Sequence, residues 1–240
     1  MKKGNLFYII TIVFLLIVII VLSVFLVMRK SGDTDIKYTD YMDQLIKVSE
    51  TSGIHSIANI VDDDYLAVLV SSDTQGTRTV SANVTFYNDQ NKKVFSDETT
   101  SVMMDEGQLF FVFNLPDLAE DEYAGTIDLK LTEGEEEGFD SLADVSKITY
   151  QETHNVNELQ STMFNVVGVN GNEYNVSGLF TNIVAVKSNK IVAYNSFSSD
   201  NILAGATFNS TVEIPPVLSG NDSQPIDFDE VYIFATDAHI

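Results

Sequence analysis

The chain contains no cysteine, no tryptophan and only three histidines, and each shortage closes off a class of chemistry. Without cysteine there is no disulfide staple, no thiolate nucleophile, no zinc–thiolate site and no thiol to acylate in a lipoprotein. Without tryptophan the usual platform for stacking a sugar ring is missing. His55, His154 and His239 stand far apart, and zinc would need several of them to converge with a carboxylate. Basic residues are scarce too: 13 Lys and Arg against 35 Asp and Glu leave a net charge of −22. No basic stripe is therefore on offer to nucleic acid or to anionic lipid outside the N-terminus. A Gly-rich phosphate loop, a GxSxG elbow and an HExxH pair are likewise absent. The expectation is a protein that is not an enzyme and carries no cofactor. A glycosidase-type pair of acids from separate strands would leave no trace in sequence.

What is present, first, is an apolar run. From Leu6 to Met28 there are 23 residues without a charge, and roughly 20 helical residues at about 1.5 Å each cross the hydrocarbon core. Leu6, Phe7, Ile9, Phe14, Leu15, Ile19, Val24 and Met28 are read as the membrane anchor, with Lys2, Lys3, Arg29 and Lys30 as its flanks. A cleaved signal has an apolar region of about 7–15 residues that ends at small residues. This run is longer, contains no Ala or Gly, and passes directly into Met28-Arg29-Lys30.

The reading is a single-pass signal anchor in the cell membrane, with residues 1–5 cytoplasmic and everything beyond 28 extracytoplasmic. Four of the 13 basic residues flank the run and all 35 acids follow it, so residues 31–240 carry nine basic against 35 acidic groups, or −26. An extracytoplasmic part without disulfides fits a bacterial, Gram-positive surface.

Residues 29–53 read as a linker with a short amphipathic helix, because Tyr38, Tyr41, Met42, Leu45 and Ile46 share one helical face. That face either docks on the following domain or forms a dimerisation seam. Beyond Ile54 the period becomes two. Val80, Ala82, Val84 and Phe86 alternate with Thr79, Ser81, Asn83 and Thr85, while Leu109, Phe111 and Phe113 lie on a strand whose other face carries Phe110 and Val112. Turn clusters such as Asn88-Asp89-Gln90-Asn91 separate such runs, which predicts a mainly β fold of sandwich type.

The second half repeats the first. Asn91-Lys92-Lys93-Val94 has a counterpart in Asn189-Lys190-Ile191-Val192, Gly107 and Phe110 in Gly205 and Phe208, and Leu115-Pro116 in Ile214-Pro215. Val231 to Phe234 answers Ile127 to Leu131. The common order implies two tandem Ig-like β-sandwich domains, 54–150 and 151–240, with Glu133 to Gly138 as a loop late in the first.

The stretch Val80 to Pro116, with Phe86-Tyr87-Asn88-Asp89, a turn through Lys93 and a strand led by Gly107, resembles the FxLYD-type domain of bacterial surface proteins. The second half departs from it, with Val184-Ala185-Val186 where the aromatic pair would stand. The resemblance implies an Ig-like fold and an extracytoplasmic setting, and no activity.

Two acidic groups, Asp62-Asp63-Asp64 and Asp227 with Asp229 and Glu230, invite calcium, but neither has the spaced ligands of an EF-hand, so solvated turns are expected. Lys2-Lys3-Gly4 before the apolar run resembles a prepilin processing site, although Ile9 stands where that family has an acid. The sequence therefore predicts a membrane-anchored binding or assembly protein with a protein partner in the envelope. A pilin-like subunit, or a binder of a small ligand or wall polymer, is the alternative.

Overall fold

Two-residue alternation continues to the end of the chain, and it builds strands. The computed structural model describes residues 45–62, 64–117, 124–134, 142–219 and 222–240, and it is mainly β, arranged in several sheets. The first half contains β1 (Ile46–Glu50), β2 (Ile54–Val61), β3 (Tyr65–Ser72), β4 (Arg78–Asn88), β5 (Lys93–Met103), β6 (Gln108–Asn114) and β7 (Ala124–Gly134). One sheet has the order β2-β3-β6 and the other β1-β7-β4-β5, with β1 running parallel to β7. Burial on β4 alternates residue by residue, as its sequence demands. Val80, Val84 and Phe86 meet Leu66, Val68, Leu109, Phe111 and Phe113 from the facing sheet in one core.

The second half contains β8 (Ile148–Val156), β9 (Thr162–Asn170), β10 (Ser177–Lys187), β11 (Lys190–Ser199), β12 (Thr207–Ile214), the small hairpin β13 (Val217–Ser219) and β14 (Asp222–Gln224), and β15 (Glu230–His239). Its sheets have the orders β12-β9-β8 and β11-β10-β15. Substituting β8, β9, β10, β11, β12 and β15 for β2, β3, β4, β5, β6 and β7 reproduces both sheets of the first half except for β1. The registers agree as well. Ala82, Val84 and Phe86 lie opposite Leu131, Leu129 and Ile127, and Thr181, Ile183 and Ala185 lie opposite Ala235, Ile233 and Val231. The β13–β14 hairpin is the insertion that lengthens the spacing before β15. Even the hairpin turns correspond: Asn91 has φ 60°, and Ser188 and Asn189 have φ 49° and 61°, the left-handed pair a two-residue hairpin turn requires.

The two halves stack. Strand β3 is buried on both faces, sending Leu66, Val68 and Val70 into the first core and Ala67 and Leu69 the other way. Strand β10 does the same with Ile183 and Ala185 on one side and Val184 and Val186 on the other. A third apolar layer thus lies between β2-β3-β6 and β11-β10-β15, made by Val61, Leu69, Val184, Val186, Ile191 and Phe234. Phe110, on the second apolar face of β6, packs there against Tyr194 with ring centroids 5.0 Å apart, while Val112 on the same face stays exposed. The order is four sheets deep, with three apolar layers between them.

Some expected elements differ. Leu45 lies in a 3-10 turn and Ile46 opens β1, because Ile46 packs against the first core. The rest of the expected helix over 38–46 lies outside the described residues, as do the anchor 6–28 and its flanks. Among the described residues no helix is long and apolar enough to cross a membrane. Near the expected end of the first domain lies a 3-10 turn at Val145–Lys147, capped by Asp144, whose carboxylate accepts from the Ser146 N–H at 3.2 Å. Strand β8 then runs from Ile148 through the expected boundary near Gln151 and pairs along its length with β9. Ile148 draws it there, being buried with Val176 and Leu179 of the second half.

Candidate interaction site

The seam between the halves holds the features that a sequence does not display. Asn59, at 5% exposure on β2, acts as a piece of backbone turned sideways. Its Oδ1 accepts from the Ile191 N–H at 2.7 Å, and its Nδ2 donates to the Ile191 carbonyl at 2.9 Å and to the Ile60 carbonyl at 3.1 Å. A buried amide can stay inside only when its donors and acceptor are used. Here they tie β2 of one half to β11 of the other. Sequence reasoning missed Asn59, although an amide amid Ile57, Ile60 and Val61 was the available signal.

Two adjoining hollows open beside the seam, of about 380 and 300 Å³, sharing Val102, Met104 and Val145 as lining. One wall is the end of β5 with the turn 104–107, and the other is β15 from Ile233 to Ala238 with residues 142–150. Among the described residues neither hollow is lined by a histidine, lysine or arginine; Asp105 and Glu106 stand at the rim. Tyr150 closes the floor. Its ring meets Phe208 edge-on at 6.2 Å, its hydroxyl lies 3.0 Å from the Thr181 hydroxyl, and burial pushes its pKa up to about 12 against a smaller pull from that bond. It is a neutral wall at physiological pH rather than an acid or base.

A third cleft, about 580 Å³, lies between Asp62, Tyr194, Pro215 and Pro216 and the exposed Val217 and Leu218.

The β5 end of the first hollow is locked from beneath by Arg78. This buried guanidinium donates to the Gly76 carbonyl at 2.7 Å and the Asp105 carbonyl at 3.1 Å, and pairs with Glu133 at 2.9 Å. On the opposite wall burial raises the Asp144 carboxyl, but its bonds from Ser146 and Lys147 outweigh this and hold it below the usual range.

The residues singled out for metals do not converge. His55 lies by Asp73 at 3.3 Å, His154 by Glu152 at 3.3 Å and against the rings of Phe164 and Phe228, and His239 ends β15. Among the described residues no group of three His, Asp or Glu could hold a metal ion. Asp227 pairs with Lys187, Asp229 accepts from the Ser188 N–H at 2.9 Å, and Glu230 accepts from the Tyr232 hydroxyl, so those acids lace a turn. Asp62 and Asp64 sit in the β2–β3 turn, and Asp63 lies outside the described residues.

No family model matches the chain, and no curated protein matches it. Among solved structures, red sea bream transglutaminase is similar over 71% of this chain and 28% of that one, at 6% identity and a TM-score of 0.24. The match spans less than a third of that enzyme, and at that score it carries no argument about fold, activity or substrate. What the seam offers chemically is apolar wall and acidic rim.

Proposed function

We propose that this chain is an extracytoplasmic binding or assembly protein, anchored in the cell membrane by residues 6–28 and displaying two tandem Ig-like domains to another envelope protein. The observation that carries this reading is the pair of matching strand orders stacked through a buried apolar layer. Such a stack is a stiff support for surfaces and edges, and antiparallel sandwiches recognise partners through strand edges as readily as through pockets. In this reading the chain has no catalytic centre of its own, and its partner supplies whatever chemistry the assembly performs.

The acidity of residues 31–240 favours a partner with a basic surface and keeps the domains soluble at the membrane. Extraction of the tagged full-length chain in mild detergent, with quantitative mass spectrometry of what co-purifies, tests the reading. One protein at near-unit stoichiometry is expected. A chain that comes out alone at every detergent and salt condition refutes it.

A further inference from the structure

Apart from the inserted β13–β14 hairpin, the two halves match strand for strand with one exception, and that exception lies at an edge. In the first half the far edge of β7 is covered by β1, running parallel, with Ile46, Val48 and Glu50 opposite Ile127, Leu129 and Leu131. The equivalent residues of β15 are Val231, Ile233 and Ala235, fixed by their register on β10. Among the described residues β15 pairs on one side only, with β10, and nothing pairs with its far edge from Val231 to Ala235. The segment that precedes β8, as β1 precedes β2, has slipped past the end of this slot. Leu142 bridges His239, and the Ala143 N–H donates to the Ala238 carbonyl at 2.9 Å. The hollow of 380 Å³ overlaps this slot at Ile233 to Ala235, and the one of 300 Å³ continues past its end along Thr236 and Ala238.

We infer that this edge of β15 is an acceptor for a parallel strand from the protein partner, so that the inference rests on the binding reading and names its site. A strand edge left with open N–H and C=O groups pairs with an extended segment. The β1–β7 pair shows the required sequence: β-branched aliphatic residues at every second position, opposite Val231 and Ile233, with polar residues between. Charge fixes the rest. The rim carries Asp105 and Glu106, among the described residues no cation lines either hollow, and the domains around it are strongly acidic, so the intervening positions of the partner are Lys or Arg. A second copy of this chain meets like charge there, and its own β1 is engaged on β7.

The probe is a synthetic peptide alternating Val with Lys, with a control of the same composition in blocks, added to the full-length chain in detergent. The alternating peptide is expected to bind and the control to bind about tenfold more weakly or less, because only the former presents one apolar face. Met104→Arg, at the shared wall of both hollows, is expected to weaken binding by about tenfold or more through like charge. Because the chain has no cysteine, Thr236→Cys gives a unique thiol beside the edge, and Thr211→Cys gives one on the outer face of β12 as control. Peptides carrying a thiol-reactive group at one end or the other should label Thr236→Cys with a single polarity, that of a parallel strand, and leave Thr211→Cys unlabelled.

Equal binding of both peptides, equal labelling at both thiols, or retention of full affinity by Met104→Arg together with absent labelling at residue 236 overturns the inference. So does a concentration-dependent dimer of the chain that Met104→Arg abolishes. If the wild type recovers a stoichiometric partner that Met104→Arg and the peptide leave bound, the edge is not the site while the binding reading stands. If no partner is recovered at all, the reading itself falls.

Discussion

Replacing Asn59 tests the seam most directly. In Asn59→Ala the Ile191 N–H and C=O lose their partners at a site where Ile191 is 2% exposed, so water cannot substitute. Each orphaned buried group costs about 1–3 kcal/mol, and the small void left by the amide adds to it, giving a loss of about 3–4 kcal/mol. Asn59→Asp keeps the size and one acceptor but reverses the other half of the clamp. Its carboxylate faces the Ile191 carbonyl, two acceptors in a place built for a donor, and its charge is buried. At neutral pH it should be no more stable than Asn59→Ala. Protonation restores a donor. The folded-state pKa of that carboxyl is raised above the unfolded value, so the folded form binds the extra proton and the variant regains stability relative to Asn59→Ala as pH falls.

Urea unfolding followed by tyrosine fluorescence and circular dichroism reads the effect, since there is no tryptophan to report. A fall in midpoint at constant slope measures lost stability, and a split into two transitions means the halves have uncoupled. If Asn59→Ala lies within about 0.5 kcal/mol of wild type, the clamp contributes nothing and the argument for a rigid seam is wrong.

Four further outcomes are expected. Gly168→Ala puts a Cβ 2.1 Å from the Phe208 ring, which lies over the glycine on the neighbouring strand, so it should cost about 1–3 kcal/mol by the same unfolding assay. Phe110→Ala, at a partly buried site, should cost about 2–3 kcal/mol while Val112→Ala, on the exposed part of the same face, stays within about 0.5 kcal/mol. Arg78→Ala should cost about 3 kcal/mol, since two carbonyls and Glu133 lose their donor together, and Arg78→Lys should recover part of it. Between pH 10 and about 12 the unfolded chain ionises Tyr150 while the folded chain keeps its proton, so wild type loses up to about 3 kcal/mol over that window. Tyr150→Phe should lack that part of the alkaline slope, and identical slopes would discount the burial argument.

The β content was legible because the signal is local and recurs along the chain. Val80 to Phe86 announce a half-buried strand, and Asn91 and Asn189 mark turns with positive φ. The match of Leu115-Pro116 with Ile214-Pro215 falls at corresponding places at the ends of β6 and β12, whereas Gly107 corresponds to Ala206 rather than to Gly205: the Ser72 N–H donates to the Gly107 carbonyl as the Asn170 N–H donates to that of Ala206. What was not legible depends on who lies opposite. The two-faced apolar pattern of β3 and β6 signals burial on both sides without saying against what, and the answer, β10 and β11, lies far along the chain. Asn59 is one polar letter in an apolar run until Ile191 is placed beside it. The conversion of Ile46 from the end of a helical pattern to the start of β1 has the same origin. Its apolar contacts and the pairing with β7 override a short local periodicity.

The stacking also decides where recognition can occur. In a chain of independent sandwiches every sheet face is open to a partner, but here the outer faces of β2-β3-β6 and β11-β10-β15 are spent on each other. The faces that remain belong to the two outermost sheets, and their side chains largely satisfy one another. Ser81 and Thr100 share a hydroxyl contact of 2.7 Å, Asn83 donates to Glu98 at 3.3 Å, and Thr211 donates to Asn165 at 3.1 Å. A partner landing there would have to break short polar bonds and gain little apolar area in return. The far edge of β15 from Val231 to Ala235 and the hollows beside the seam carry no such cost, because among the described residues no strand pairs with that edge and the hollows have apolar walls. On the binding reading proposed above, the packing that stiffens the molecule therefore moves recognition from the sheet faces to the edges, and among those the side of β15 left unpaired among the described residues is the one that the fold's own repeat shows how to fill.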